Sequence, residues 1–168
     1  MHVPRHLNVS LGATVSHMDA PNTDHQSVID VHGDGYERGL AHGEQLRAAV
    51  QKSVGSLVEA LGGEAEIERF IGETNFLPTI DRLTPDLGQE VRGIAVGSAM
   101  PLNLVLAHNL MDEHWWWSTK RNRREACTLF ATTSPIPIIG QTMDLPSYMD
   151  GSQFILRSHF TDGSVSAV

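Results

Sequence analysis

The sequence contains a single cysteine, Cys127, among its 168 residues. One thiol cannot form an intramolecular disulfide, so a disulfide-stabilised scaffold is excluded. Long apolar runs are also missing, since no stretch approaches the roughly 20 apolar residues that a membrane-spanning helix needs. The N-terminal region lacks the sustained apolar segment of a secretory signal. We therefore expect a cytoplasmic protein with no membrane partner.

Basic residues are scarce, because 12 Lys and Arg face 20 Asp and Glu, which gives a formal charge of −8. Nucleic-acid binding favours a basic surface, and the single basic cluster, residues 120–124, is short. We therefore expect no nucleic-acid partner. The length and the 40% hydrophobic content are sufficient for one domain with a sizeable core.

The first two-thirds of the sequence predicts a helix-rich segment. Residues 1–26 carry proline and asparagine without periodicity, which is typical of a loose arm. A short β-branched run after residue 26 predicts a strand, and apolar residues then recur at spacings of three and four. Together with the proline and glycine positions, this spacing predicts helices over residues 36–60, 65–76, 84–97 and 102–117. Residues 27–126 thus form the predicted helical segment.

The pattern changes to strands after Ala126. Alternating and β-branched runs predict strands over residues 127–133, 138–144 and 154–160, followed by a hairpin turn at 161–164. The predicted fold class is therefore α+β. A domain seldom finishes a few residues into a hairpin, because the preceding strand keeps a half-paired edge. We expect the sequence to be the N-terminal part of a longer protein, with the remainder of its own chain beyond Val168 as a partner.

Cys127 has two interpretations at the level of residues. Free cysteine is among the most buried residue types, which favours a core residue in a non-catalytic binding or structural module. Its setting favours chemistry, because it opens a predicted strand directly after a polar linker and a small residue, Ala126. The return strand of the hairpin brings a carboxylate, Asp144, back toward it. The residues alone leave both interpretations open.

Four segments resemble, in chain order, those of the acyl-coenzyme A:6-aminopenicillanic acid acyltransferase family, relatives of the penicillin V acylases and bile-salt hydrolases. They are GYERGLAHG at 35–43, EVRGIAVG at 90–97, EACTLFA at 125–131 and IGQTMDL at 139–145. The sequence differs from the family pattern at two places. Ala126 stands where the family often has glycine, and Thr142-Met143 stands where the family has Asn-Trp.

The resemblance implies an N-terminal-nucleophile enzyme with a four-layer αββα sandwich. Residues 127–168 would be its first strands, and residues 27–126 a helical pro-segment or small subunit. The implied activity is cysteine-dependent hydrolysis or acyl transfer on a linear amide or an acyl-coenzyme A thioester, with no cofactor. The family's oxyanion donor, an asparagine side chain, would lie beyond Val168.

The resemblance also implies the roles of individual residues. The chain would cut itself between Ala126 and Cys127, and the freed amine of Cys127 would then activate its own thiol. Asp144 would orient this amine. Thr128, beside the nucleophile, and Gln141, on the return strand, would line the site.

Two other groups of polar residues are given structural interpretations. A metal site on the predicted helix at 102–117 is not expected, because His108 and Asp112 stand four apart but His114 points off that face and no fourth ligand follows. Near the start of the first predicted helix, the carboxylate of Glu37 complements the helix dipole. Small residues such as Gly43 permit close packing of this helix against a neighbour. The residues interpreted in this way are Tyr36, Glu37, His42 and Gly43.

Overall fold

The computed structural model describes residues 28–118, 128–133, 135, 138–142 and 145–167. Within these ranges the chain forms seven α-helices and five β-strands. In chain order they are β1 (Val28–Gly33), α1 (Gly35–Gln45), α2 (Arg47–Leu61), α3 (Glu64–Glu73), α4 (Phe76–Leu83), α5 (Pro85–Ser98), α6 (Leu102–Asn109), α7 (Met111–Trp117), β2 (Thr128–Thr132), β3 (Ile138–Thr142), β4 (Ile155–Phe160) and β5 (Val165–Ala167). A single 3-10 turn, Ser147–Met149, precedes β4. The fold class is α+β, as the sequence predicts.

The described strands form two sheets. Strand β1 runs parallel to β4 with Val28 opposite Ile155, and β4 runs antiparallel to β5 with His159 opposite Val165. Strands β2 and β3 form a separate antiparallel hairpin. Two parallel neighbours need a long crossover between them, and here that connection contains all seven described helices. The helix-rich segment is thus an insertion between two neighbouring strands of one sheet.

The predicted helix over residues 36–60 is divided into α1 and α2 at Leu46, whose φ of −111° and ψ of 22° leave the helical region. The Leu46 amide still donates to the His42 carbonyl at 3.0 Å, so the division is a bend with little loss of hydrogen bonding. The predicted helix over 65–76 ends early, at Glu73. Pro78 lies in the first turn of α4, where its missing N–H has no intrahelical partner to lose.

Helix α5 begins at Pro85, one residue after the predicted start at Thr84, whose side chain forms no capping hydrogen bond. The Thr84 hydroxyl instead donates backward to the Ile80 carbonyl at 3.3 Å. The helix predicted over residues 102–117 is divided into α6 and α7 at Leu110, with φ of −108° and ψ of 31°.

The hydrophobic core lies among α2, α3, α5 and α6. Phe70 and Ile67 of α3 are fully buried, and Val54 of α2 and Leu106 of α6 are 1% exposed. Burial of such side chains stabilises a fold by about 1.5–3 kcal/mol each. The core therefore fixes the positions of the helices that carry the polar residues described below.

Helices α1 and α5 pack with their backbones in contact. A Cβ atom placed on Gly39 would lie 2.8 Å from the carbonyl carbon of Glu90, and one on Gly93 would lie 2.6 Å from the amide nitrogen of Leu40. A Cβ on Gly43 would lie 2.7 Å from the amide nitrogen of Ser98. Glycine removes the side chain that would otherwise separate the helices. The predicted packing role of Gly43 is confirmed.

A buried arginine connects the start of α1 to α5. The Arg38 Nη2 group donates to Asp86 at 2.6 Å and to Glu90 at 2.9 Å, while its Nη1 donates to the Gly33 carbonyl at 2.8 Å. Arg38 is only 3% exposed. These hydrogen bonds to Arg38 hold the pKa of Asp86 below its usual range. A paired arginine of this kind is compatible with burial because its charge is balanced by two carboxylates, although its Nε has no hydrogen-bond partner among the described residues.

Candidate functional site

The β2–β3 hairpin borders the residues that the sequence predicts to be catalytic. Thr128 is paired with Thr142, and Leu129 is paired with Gln141. Cys127, its neighbour Ala126 and Asp144 all lie outside the described residues. The chain enters β2 one residue after Cys127 and leaves β3 two residues before Asp144. The paired threonines therefore mark the open end of the hairpin, to which both predicted catalytic residues are connected.

The hairpin carries apolar side chains on both of its faces. Leu129 and Phe130 are neighbours in β2, so they point to opposite faces, and they are 66% and 59% exposed. The Phe130 ring covers Gly140 on β3, where a Cβ would lie 3.1 Å from the Cδ1 atom of the ring. Gln141 is exposed on β3. A strand with apolar residues on both faces is typical of a sheet that is covered on both sides.

A cavity of about 390 Å³ lies where the α1–α2 junction, α5, α6 and the entry to β4 meet. This volume is within the range of small-molecule sites. Its wall is mainly aliphatic and aromatic. Its polar residues are His42, Ser53, His108, Asn109, Ser152 and Gln153.

Two polar side chains from distant parts of the sequence form a hydrogen bond in this cavity. The Ser53 Oγ atom lies 2.7 Å from His108 Nε2. The same hydroxyl is 3.6 Å from the Met149 sulfur, a much weaker acceptor than an imidazole nitrogen. Ser53 is 5% exposed. The short hydroxyl–imidazole contact satisfies two polar groups that the surrounding aliphatic residues would otherwise leave without partners.

Both histidines of the cavity wall are in a desolvated environment. Burial lowers the pKa of His42 and the pKa of His108 below the ordinary histidine range. Burial disfavours the charged imidazolium, which loses its hydration shell. At neutral pH both rings are therefore uncharged.

The outer face of the β1–β4 pair carries a second polar cluster. Asp30 accepts from Arg157 Nε at 2.6 Å and from Arg157 Nη2 at 2.8 Å, and its Oδ1 lies 2.7 Å from His159 Nε2. The hydrogen bonds with Arg157, and to a smaller extent the one with His159, hold the pKa of Asp30 well below its usual range. His32 stacks on His159 with 4.2 Å between the ring centroids.

Asp30, His32 and His159 have potential ligand atoms within 4.8 Å of one another. A divalent cation would nevertheless have to displace the guanidinium of Arg157 from both carboxylate oxygens. The two imidazoles are also nearly parallel, at 10° between planes, whereas a common metal ion needs their lone pairs to converge. The cluster is best described as an ion-pair network across two paired strands.

The three candidate metal ligands on α6 and α7, His108, Asp112 and His114, do not converge on a common point. His108 contacts Ser53, and Asp112 is exposed. His114 is 4% exposed and packs against Phe70, with 5.1 Å between the ring centroids. Neither ring nitrogen of His114 has a hydrogen-bond partner among the described residues. The structural interpretation of these residues agrees with their positions.

Glu37 also has a structural partner. Its carboxylate accepts from the Asp34 amide at 3.0 Å, and the Asp34 carboxylate accepts from the Glu37 amide at 3.0 Å. This reciprocal capping box stabilises the start of α1. His42, by contrast, lines the cavity. The sequence pattern assigns His42 to helix packing and does not predict this position.

The sequence carried one signal for the cavity. Ser53 lies on the face of α2 that also presents Val50, Val54 and Leu57, so a hydroxyl interrupts an otherwise apolar stripe. No local pattern identifies His108 as its partner, because 55 residues separate the two.

Comparison with models of known protein families and with curated proteins found no match. The resemblance of the four segments to an acyltransferase family therefore stays a prediction. No helix among the described residues is long and apolar enough to cross a membrane.

Proposed function

We propose that the protein is a self-processing, cysteine-dependent N-terminal-nucleophile hydrolase or acyltransferase that acts on linear amides or acyl-coenzyme A thioesters. The observation that carries the proposal is the β2–β3 hairpin, with Cys127 directly before its first strand and Asp144 two residues after its second. Thr128 follows Cys127 directly and Thr142 stands two residues before Asp144, and these two threonines are paired with each other at one end of the hairpin.

The apolar residues on both hairpin faces support the fold part of the proposal. In an αββα sandwich each sheet is covered by helices on one face and by the other sheet on its opposite face. Leu129 and Phe130 are then buried on opposite sides. The two sheets of the sandwich would extend β2–β3 and β1–β4–β5, and α1–α7 would form the helical pro-segment or small subunit.

Self-cleavage is the activating step in this proposal. The Cys127 thiol attacks the Ala126 carbonyl carbon, the peptide C–N bond breaks, and a thioester forms as the Cys127 amine is released. Water then hydrolyses the thioester, which yields the Ala126 carboxylate and restores the thiol. A free α-amine has a pKa of about 7.7–8.0, so it can accept the thiol proton, whereas the uncut amide cannot.

The mature enzyme uses the same thiol on an external acyl group. The thiolate attacks the substrate carbonyl carbon, and the protonated amine returns its proton to the departing amine or thiol. Water or an amine then accepts the acyl group from Cys127. In this proposal Asp144 orients the amine, while Thr128 and Gln141 line the site beside it.

Intact-mass measurement on the full-length protein tests the proposal. We expect two fragments divided before Cys127 in the wild type and one undivided chain in Cys127→Ala. The matched variant Ala126→Gly restores the family's residue and relaxes the backbone at the cut, so it should be divided faster than the wild type.

The rival hypothesis is a non-catalytic binding or structural module in which Cys127 is a core residue. It predicts an undivided wild-type chain whose cysteine resists alkylation by iodoacetamide. That combination of results would overturn the proposed function. If the chain is divided, release of the acyl group from acyl-amides and from acyl-coenzyme A donors then identifies the substrate class.

A further inference from the structure

The cavity between α2, α6 and the entry to β4 has hydrogen-bonding capacity that the described residues leave unused. Ser152 is one of the residues that line the cavity, and its hydroxyl is shielded from solvent and has no hydrogen-bond partner among the described residues. A buried hydroxyl without a partner destabilises the folded state, because it loses its hydration and gains no hydrogen bond in return. Such an atom in a cavity wall is explained most simply by a ligand group that satisfies it.

The Ser53–His108 pair has further capacity. A hydroxyl has one hydrogen and two lone pairs, and the 2.7 Å contact with His108 Nε2 uses only one of these sites. Asn109 lies at the cavity wall with its Nδ2 donating to the Val105 carbonyl at 2.9 Å, which leaves its amide oxygen as an acceptor. Residues that carry donors and acceptors thus line a largely apolar space.

The described part of the cavity wall is uncharged, because none of the described residues that line it is Asp, Glu, Lys or Arg. Its histidines are neutral at neutral pH, since burial lowers the pKa of His42 and that of His108. A charged ligand would lose its hydration here and gain no counter-charge, which is costly. A neutral head group that both donates and accepts hydrogen bonds avoids this cost.

We propose that this cavity binds a neutral small molecule with an aliphatic chain and a carboxamide-like head group, the chain against Val50, Ile94 and Leu156 and the head group toward Ser53, His108 and Ser152. A primary amide supplies a carbonyl acceptor and N–H donors in one compact group. The inference goes beyond the proposed function and does not rest on it, because it uses none of the residues assigned to self-cleavage or catalysis.

The test is calorimetric titration of the full-length protein with three probes of equal chain length: octanamide, octanoate and octylammonium. We expect octanamide to bind at least about tenfold more tightly than either charged probe near neutral pH, since a charge here is buried without compensation. The titration is repeated with Cys127→Ala, in which no acyl transfer to the thiol can occur. Equal octanamide affinity in both proteins is expected even if self-cleavage fails.

Two variants locate the binding. Ala49 lines the cavity and Ala48, its exposed neighbour on α2, does not. We expect Ala49→Phe to weaken octanamide binding at least about tenfold by filling the cavity, and Ala48→Phe to leave it unchanged. Ser152→Ala removes a hydroxyl with no hydrogen-bond partner among the described residues, so it should fold normally and weaken binding about fivefold.

Three results would overturn the inference: no octanamide binding, equal affinity for the charged probes, or unchanged affinity in both Ala49→Phe and Ser152→Ala. If Ala49→Phe does not fold, as judged by circular dichroism, Ser152→Ala alone decides, because unchanged affinity there contradicts the assigned position of the head group.

Discussion

The contact between α1 and α5 predicts opposite effects for the same substitution at two helical glycines. At Gly39 an added Cβ would lie 2.8 Å from the carbonyl carbon of Glu90 and 3.0 Å from its Cα. At Gly55, on α2, an added Cβ meets nothing within 4 Å. The contact also matters for the cavity, because α1 contributes His42 to its wall and α5 contributes Ile94.

The expected magnitudes follow from these two environments. Alanine in an open helical position is favoured over glycine by about 1 kcal/mol, so Gly55→Ala should stabilise the protein by up to that amount. Overpacking typically costs about 1–3 kcal/mol, and the obstacle at Gly39 is helix backbone, which cannot rotate away as a side chain can. A backbone obstacle places the cost at the upper end of that range, about 3 kcal/mol, so after subtraction of about 1 kcal/mol of helix-propensity gain Gly39→Ala should lower the free energy of unfolding by about 2 kcal/mol.

Thermal denaturation followed by circular dichroism measures both effects. For a protein of this size 1 kcal/mol corresponds to a change in Tm of about 2–4 °C. Gly39→Ala should therefore lower Tm by about 4–8 °C, and Gly55→Ala should raise it by about 2–4 °C. A Tm for Gly39→Ala equal to or above that of the wild type would refute the close packing of α1 against α5.

Other predictions concern the buried polar groups. The double variant Asp86→Asn/Glu90→Gln leaves Arg38 buried without a counter-charge, so urea denaturation should show a loss of roughly 2–4 kcal/mol. His114→Phe removes ring nitrogens that have no hydrogen-bond partner among the described residues, so the urea midpoint of this variant should rise rather than fall. Burial lowers the pKa values of His108 and His114 in the folded state, while the unfolded value is about 6.5. The unfolded chain therefore binds more protons in acid, and stability should fall as the pH drops below about 6.5, by at most about 1.4 kcal/mol per pH unit for each histidine. Denaturation midpoints measured between neutral and mildly acidic pH check this sign, and His114→Phe should show a shallower decline.

Local sequence patterns were sufficient for the order and type of most elements. Apolar spacing predicted α2 and α5, and β-branched alternation predicted β4. The patterns failed where a helix bends without a breaking residue, as at Leu46 and Leu110, because neither leucine differs in propensity from its helical neighbours. Proline at position 78 favours the end of a helix before it, but Pro78 lies in the first turn of α4, a position that suits proline equally.

Contacts between distant residues were beyond such patterns. The pairing of Asp30 with Arg157 joins residues 127 positions apart, and the contact of Ser53 with His108 joins residues 55 apart. Each depends on how whole helices and strands pack, which no window of the sequence contains. The prediction of Cys127 as the nucleophile, by contrast, needs only local sequence. It rests on the position of Cys127 between a linker and a strand and on the resemblance of the flanking segments to a known family.

The central claim of the proposed function is that self-cleavage makes Cys127 the first residue of a chain, with a free α-amine. Labelling of free α-amines in the full-length protein tests this claim most directly. The protein is treated with an amine-specific reagent, digested after arginine and lysine, and analysed by peptide mass spectrometry. The proposal predicts a labelled peptide that begins at Cys127. A single peptide that runs from Glu125 through Ala126 into Cys127, with no labelled cysteine amine, would contradict it.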